Sequence, residues 1–248
     1  MCTLALALGA DRRWPVVVAA NRDERLGRPA EGWGLRTTPG GVRWAGPRDA
    51  EAGGTWIGLS ARGLFAGLTN FHAPFDWYPD RRRRSRGELV PWALEAPTAA
   101  AAKARVAGLD PAGWNPFHLA VADAASAFLW WYDGERAGVE PLGPGLHLVT
   151  ETSPHGQGLR GELVRSRWPV DLSPARLREL LSLHAPPHPA PTCHHVEPHY
   201  GTRSSTILRL PAELRHAELY AADGPPCTFP LEDRSALLAE LAGPARSA

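Results

Sequence analysis

The chain has 248 residues, enough for one large domain or two small ones, and 44% of them are apolar, so a sizeable core can form. Its 27 basic and 26 acidic residues nearly cancel, which excludes a general electrostatic attraction to nucleic acid or to a charged membrane surface. Three scattered cysteines, Cys2, Cys193 and Cys227, do not suit a disulfide scaffold, and no apolar run approaches the ~20 residues that span a bilayer.

Leu4 to Leu8 and Val16 to Ala20 read as strands joined by a turn over Gly9 to Arg13. A second hairpin joins Trp56 to Leu59 with Leu64 to Thr69. Ser85-Arg86-Gly87-Glu88 has the form of a capping box and predicts a helix to about Glu95. Thr98 can cap a second, alanine-rich helix ending near Gly108. Strands return over Phe117 to Ala122, Ala127 to Tyr132, Val139 to Leu142 and Leu146 to Thr150, with Asp133-Gly134 as a hairpin turn. Helices are expected over Leu159 to Arg167 and over Pro174 to Leu183, the latter capped by Ser173. His184 to Tyr200 is an irregular, proline- and histidine-rich loop. Strands near Arg203 to Leu210, Ala217 to Ala222 and Cys227 to Phe229 then precede a short C-terminal helix. Strand runs separated by helix pairs predict two antiparallel sheets with helices outside. No second core appears, so residues 1–248 read as one domain.

Met1 to Ala10 lacks the basic leader of a signal peptide, and a soluble, cytoplasmic protein is expected, with Cys193 and Cys227 as plain thiols in a reducing compartment. Cys2 is a different case. It is small enough for the initiator methionine to be removed, which would leave a free amine and a thiol on one residue. Their ordinary pKa values, ~7.7–8.0 and ~8.5, are matched for proton exchange, so Cys2 could be both nucleophile and base. The competing reading is a small residue opening an edge strand.

A turn centred between Asp11 and Arg12 gives pair sums of about 23 and sets Cys2 opposite Asn21, give or take two residues. The polar cluster Asn21-Arg22-Asp23-Glu24 would then lie beside the thiol. A carboxylate there could hold the α-ammonium, and arginine could stabilise a thiolate or a substrate carboxylate. A salt-bridged turn is the other possibility for Arg22 and Glu24. In the second hairpin, pair sums of about 123 set Asn70 opposite Gly53. An asparagine amide at such a rim suits an oxyanion, although turn asparagines are common.

Met1-Cys2-Thr3-Leu4, Asn21-Arg22-Asp23-Glu24, Gly53-Gly54-Thr55-Trp56 and Tyr200-Gly201-Thr202-Arg203-Ser204-Ser205-Thr206 together resemble the NRDE family, the homologues of transport and Golgi organisation 2. Met1-Cys2-Thr3, the polar cluster and Gly63 to Asn70 are also similar to the N-terminal cysteine hydrolases of the bile-salt hydrolase and penicillin V acylase type. That second resemblance implies an N-terminal nucleophile hydrolase fold, a four-layer αββα sandwich of the α+β class. It implies Cys2 as nucleophile, Asp23 near its amine, Asn70 as oxyanion donor and Arg203 as the late arginine. Asn21, Arg22 and Glu24 would bind substrate. The acylases carry an arginine where this chain has Ala20, and a second asparagine where it has Glu151, whose charge would oppose an oxyanion.

The implied function is a cysteine-dependent amidohydrolase or acyltransferase acting on a small-molecule amide or acyl thioester, without a cofactor. The resemblance to the NRDE family also implies an alternative, a non-enzymatic carrier of haem, lipid or acyl thioester, with haem as cargo, or a trafficking protein that acts through protein contacts in secretion. No nucleic-acid partner and no stable membrane insertion are expected. The run Arg81 to Arg84 with Arg86 reads as a solvated loop. Cys193-His194-His195 with His199 fits zinc spacing poorly, and no metal site is assigned.

Overall fold

Alternation along the strands builds the molecule. In the computed structural model, which describes residues 2–72, 79–196 and 198–243, the chain runs β1 (Thr3–Leu8), β2 (Val16–Arg25), β3 (Ala30–Thr37), β4 (Arg43–Asp49), β5 (Ile57–Ser60), β6 (Phe65–Asn70), α1 (Leu89–Leu94) and α2 (Ala99–Val106). It continues through β7 (Phe117–Ala122), β8 (Ala127–Tyr132), β9 (Ala137–Pro141), β10 (Gly145–Thr150), α3 (Leu159–Arg167), α4 (Pro174–Leu181) and β11 (His195–Val196). β12 (Tyr200–Leu210), β13 (Glu218–Ala222), β14 (Glu232–Asp233) and α5 (Ser235–Ala242) complete it.

Among the described residues two antiparallel sheets form. One has the order β10-β1-β2-β12-β13-β14, with β11 also on β12, and the other runs β3 to β9 in sequence. Period-2 apolar residues divide each strand between two faces. Leu4, Leu6 and Leu8 point between the sheets with Val16 and Val18, against Ile57, Leu59, Phe65 and Leu129 of the other sheet. Ala5, Ala7, Val17 and Ala19 point outward under α3 and α4, where Leu148, Val164, Leu177 and Leu181 cover them. The second sheet packs its outer face on α1 and α2 through Leu64, Ala66, Phe117, Leu119 and Trp130. The result is the αββα sandwich, α+β in class, that the sequence leads one to expect.

Several elements differ from expectation. β2 does not stop at Ala20 but runs to Arg25, because β12 pairs with it along its whole length, and the polar cluster is therefore strand rather than loop. The β3–β4 hairpin was not expected; its glycines and charged residues mask the alternation. Ser85 makes no capping bond, and the Glu88 carboxylate that would complete a capping box is instead taken by Arg84 (2.6 Å) and the Trp114 indole (2.7 Å). Thr98 does cap α2, accepting from Ala101 N at 3.1 Å. Ser173 leads into α4 without a capping bond and donates to Asp171 instead. Cys227 to Phe229 is a turn closed by Phe229 N to Pro225 O at 2.9 Å, and β14 lies further on.

The first hairpin lies one residue from its expected register, within the two-residue margin, while Asn70 of the second falls elsewhere. Thr3, not Cys2, pairs with Asn21. Asn70 pairs with Phe117 of β7 rather than facing Gly53, since β5 begins only at Ile57.

His118, 1% exposed, is bonded to the Thr69 hydroxyl at 3.1 Å. Burial pulls its pKa down to about 3. The unfolded chain, with an ordinary imidazole, therefore takes up a proton that the folded chain refuses as pH falls below 6.5. We expect acidification from pH 6.5 to 4 to remove about 3 kcal/mol of stability through this group, at ~1.36 kcal/mol per unit. Denaturation of the wild type and of His118→Gln across that range checks it: the variant's pH dependence should be shallower by that amount.

Candidate active site

Because Thr3 faces Asn21, the residue beside Cys2 on the cleft side is Arg22. The even-numbered residues Ala20 and Arg22 look between the sheets, whereas Asn21 and Asp23 look the other way, beneath α4. Cys2, Arg22, Trp56, Gly67, Thr69 and Ser204 line a narrow space of about 20 Å³ between the sheets. A second cavity of about 100 Å³ shares Arg22, Trp56 and Ser204 with it and adds Trp33 and Arg203. The Cys2 thiol lies 3.8 Å from the Asp23 carbonyl, and burial pushes its pKa up.

The four sequence motifs converge here. Gly53 has φ +76°, a left-handed turn that favours glycine, and a Cβ on Gly54 would come within 2.7 Å of the Gly87 backbone. That close approach delivers Trp56 to the cleft, where the Arg22 guanidinium lies 4.2 Å from its ring centre. Arg22 also meets Asp49 at 3.4 Å and Glu24 at 3.6 Å, and Arg28 holds the same Asp49 oxygen at 2.7 Å. Glu24 is thus an ion-pair partner of Arg22, and half-buried.

β12 supplies the rest. Between Thr202 and Ser204 its register with β2 slips by one residue, leaving Arg203 as a bulge. Bulges re-aim side chains, and this one lines the wider cavity with Arg203. Its guanidinium reaches the Arg28 carbonyl at 3.4 Å, while its Nε is buried with no hydrogen-bond partner among the described residues. On the opposite face Ser205 donates to Asn21 Oδ1 (2.6 Å), and Asn21 Nδ2 donates to the carbonyls of Leu181 (2.9 Å) and Thr192 (2.8 Å). The Asn21 side chain is therefore a buried clamp between β2 and the end of α4, while the residue also borders the narrow space beside Cys2.

Asp23 is fully buried, and burial raises its pKa to about 6. Thr202 donates to its Oδ1 at 2.6 Å, and His194 lies 3.8 Å from its Oδ2. His194 is neutral: Arg160, always a donor, bonds its Nε2 at 2.9 Å, and burial with that positive charge lowers its pKa to about 4. Arg160 also donates to Pro191 O at 3.1 Å and to Glu151 at 2.8 Å. The Glu151 charge that seemed to oppose an oxyanion is thus neutralised by a buried ion pair. Arg160 and His194 escape sequence reasoning. Glu151 signals a need for a cation, but among so many arginines nothing along the chain selects Arg160. Arg86, expected in a solvated loop, is half-buried, donates to Pro116 O at 3.0 Å and has its pKa lowered to about 10 by burial; Arg81 to Arg84 are exposed.

Asn70 is half-buried at the end of β6, one residue past Thr69; Thr69, rather than Asn70, is among the residues lining the narrow space. Cys2, Arg22 and Arg203 thus meet at one cleft, with Asp23 directly behind Cys2.

Arg160→Met should cost about 3–5 kcal/mol, because it strands the Glu151 charge in the interior. Adding Glu151→Gln should recover much of that loss. Equilibrium denaturation of the two variants checks it, and equal stabilities would show that the pair is not coupled.

The family model for Transport and Golgi organisation 2 matches residues 1–185. The chain is similar to the human Transport and Golgi organization protein 2 homolog, with 31% identity over 159 residues, covering 62% of this chain and 52% of the relative. The bovine homolog matches at 31% over 160 residues with the same coverage. The matched segment spans about half the length of these relatives. Among solved structures, the chain resembles a conjugated bile acid hydrolase from Clostridium perfringens, with TM-score 0.55 and 11% identity over 98% of this chain and 94% of that one. It also resembles penicillin V acylase from Agrobacterium tumefaciens, with TM-score 0.52 and 16% identity over 90% and 83% of the two chains. At such identities the likeness establishes the fold alone, that of the N-terminal nucleophile hydrolases. No helix among the described residues is long and apolar enough to cross a membrane.

Proposed function

Since the chain belongs to the Transport and Golgi organisation 2 family and has the N-terminal nucleophile hydrolase fold, we propose that it is a cysteine-dependent amidohydrolase or acyltransferase. Cys2, freed by removal of Met1, is the nucleophile, and the substrate is a small amide or acyl thioester. The observation that carries this reading is the Cys2 thiol in a cleft with Arg22 and Arg203, backed by the buried Asp23 carboxylate.

The α-amine takes the thiol proton, and the thiolate forms a bond to the carbonyl carbon. The tetrahedral intermediate collapses as the bond to the amine or thiol leaving group breaks, and the ammonium returns the proton to that group. Water then cleaves the acyl-cysteine in the hydrolase; a second nucleophile does so in the acyltransferase. Asp23 orients the ammonium, with Thr202 and the neutral His194 fixing its own position. Asn70 donates to the developing oxyanion. Arg203, bearing a buried and unsatisfied N–H, binds an anionic group of the substrate.

The structural neighbours named above are a conjugated bile acid hydrolase and a penicillin V acylase, which favours an amide substrate here. Small cavities point to a short acyl group or to one end of a longer substrate. A carrier of haem or acyl thioester would use the same cleft, but would have no need of a thiol beside a buried carboxylate.

Turnover of a panel of N-acyl amides and acyl thioesters tests the proposal. Cys2→Ala should abolish it. Asn70→Ala should lower kcat by about 10²–10³. Arg203→Ala should raise KM for a carboxylate-bearing substrate about tenfold and leave kcat nearly unchanged. Undiminished turnover by Cys2→Ala would refute the proposal.

A further inference from the structure

The side chains of residues 193–195 leave the backbone on alternate sides. His194 turns inward to Arg160 and Asp23. Its neighbours Cys193 and His195 turn the other way and meet Cys227, from the turn before β14, and His184, just after α4. The Cys193 and Cys227 sulfurs are 3.7 Å apart. His195 Nε2 lies 3.5 Å from the first and 3.2 Å from the second. One ligand atom from each of the four residues falls within 4.8 Å of every other.

We propose that His184, Cys193, His195 and Cys227 bind a single tetrahedral divalent metal ion, with zinc as the cation. Bond lengths of ~2.3 Å to sulfur and ~2.05 Å to nitrogen place tetrahedral ligands ~3.8 Å apart for two sulfurs and ~3.6 Å apart for sulfur and nitrogen. The Cys193, Cys227 and His195 separations lie within ~0.4 Å of this geometry, and His184 completes the set within 4.8 Å. Two thiolates and two neutral imidazoles balance a divalent charge, so the partly buried site holds no net charge. Two sulfur and two nitrogen ligands select zinc among the common ions. Four converging side chains leave no open position, which makes the site structural rather than catalytic. Along the chain this set is hidden: the local run suggests His194 and His199, whereas the fold replaces them with His184 and Cys227.

The metal acts as a staple on the wall behind the cleft. Thr192 and Cys193 both donate their backbone N–H to Leu183 O, and the Thr192 carbonyl accepts from Asn21. A Cβ on Gly201 would come within 2.7 Å of His194 O, so this segment lies directly on β12. Tying residues 184, 193 and 195 to 227 therefore holds His194 against Asp23 and Thr192 against Asn21. Three of the four ligands lie beyond residue 185, past the segment matched by the family model. A Cys193–Cys227 disulfide, the rival use of two close thiols, would need the sulfurs to close to ~2.05 Å and gives the two histidines no part.

Elemental analysis of the full chain, purified under reducing conditions without a histidine tag, tests the site. It should show about one zinc per chain. Replacement by Co(II) should give the visible bands of tetrahedral cobalt with thiolate-to-metal charge transfer. Cys193→Ser and Cys227→Ser should each weaken metal binding by about tenfold or more, while His199→Ala should not. Full zinc retention in both cysteine variants, or a Cys193–Cys227 disulfide in place of metal in the wild type, would overturn the proposal. If the variants do not fold, the wild type decides: failure of the metal-stripped chain to bind added Zn(II) or Co(II) would overturn it equally. These readouts are independent of turnover, so the metal site can stand or fall apart from the role of Cys2.

Discussion

The register of β2 is the constraint on which the site depends. A strand turns alternate side chains to opposite faces, and a shift of one residue exchanges them. Pairing Thr3 with Asn21 puts Cys2 and Arg22 on the cleft face and sends Asn21 and Asp23 to the helix face. One run of four polar residues thereby serves two purposes. Arg22 and Glu24 belong to the ion-pair network around Asp49, while Asn21 and Asp23 are satisfied inside the protein. β12 makes this possible by presenting hydroxyls, Thr202 and Ser205, at the positions opposite the two buried side chains.

Burying so much polarity is costly unless each group finds a partner, and the partners come from far along the chain. Glu151 follows β10, Arg160 lies in the first turn of α3, and His194 precedes β11, yet they form one connected network behind Asp23. Burial raises the Asp23 pKa to about 6, and a cation beside it favours the ionised form. A terminal ammonium on Cys2 would be such a cation, which links the electrostatics of the interior to processing of the first residue. The metal site proposed at the back of the same segment gives that wall a rigidity its proline-rich sequence does not supply.

The layers of the fold are legible in the sequence because they rest on local alternation and turn chemistry. β7, β8 and α3 begin and end where their apolar pattern and Asp133-Gly134 place them. What is not legible depends on pairing across the molecule. β2 looks finished at Ala20 because the residues that follow are polar, and only β12 makes them strand. The β3–β4 hairpin is hidden by glycine and charge. Within the site, Cys2, Asp23 and Arg203 can be named from motifs, but the division of Asn21 from Arg22 needs the register. Arg160, His194 and the ligands His184 and Cys227 need the tertiary fold itself.

The central claim is that Cys2 is an N-terminal nucleophile, and it turns on the state of one residue. Intact-mass analysis of the purified protein, before and after exposure to a cysteine-reactive β-lactone, reads that state directly. The account predicts a chain lacking Met1 that gains a single adduct, mapping to Cys2, while Cys193 and Cys227 stay unlabelled. Retained Met1, or a Cys2 that the lactone leaves untouched in the folded protein, would contradict it, since no free amine or no reactive thiol would stand at the cleft.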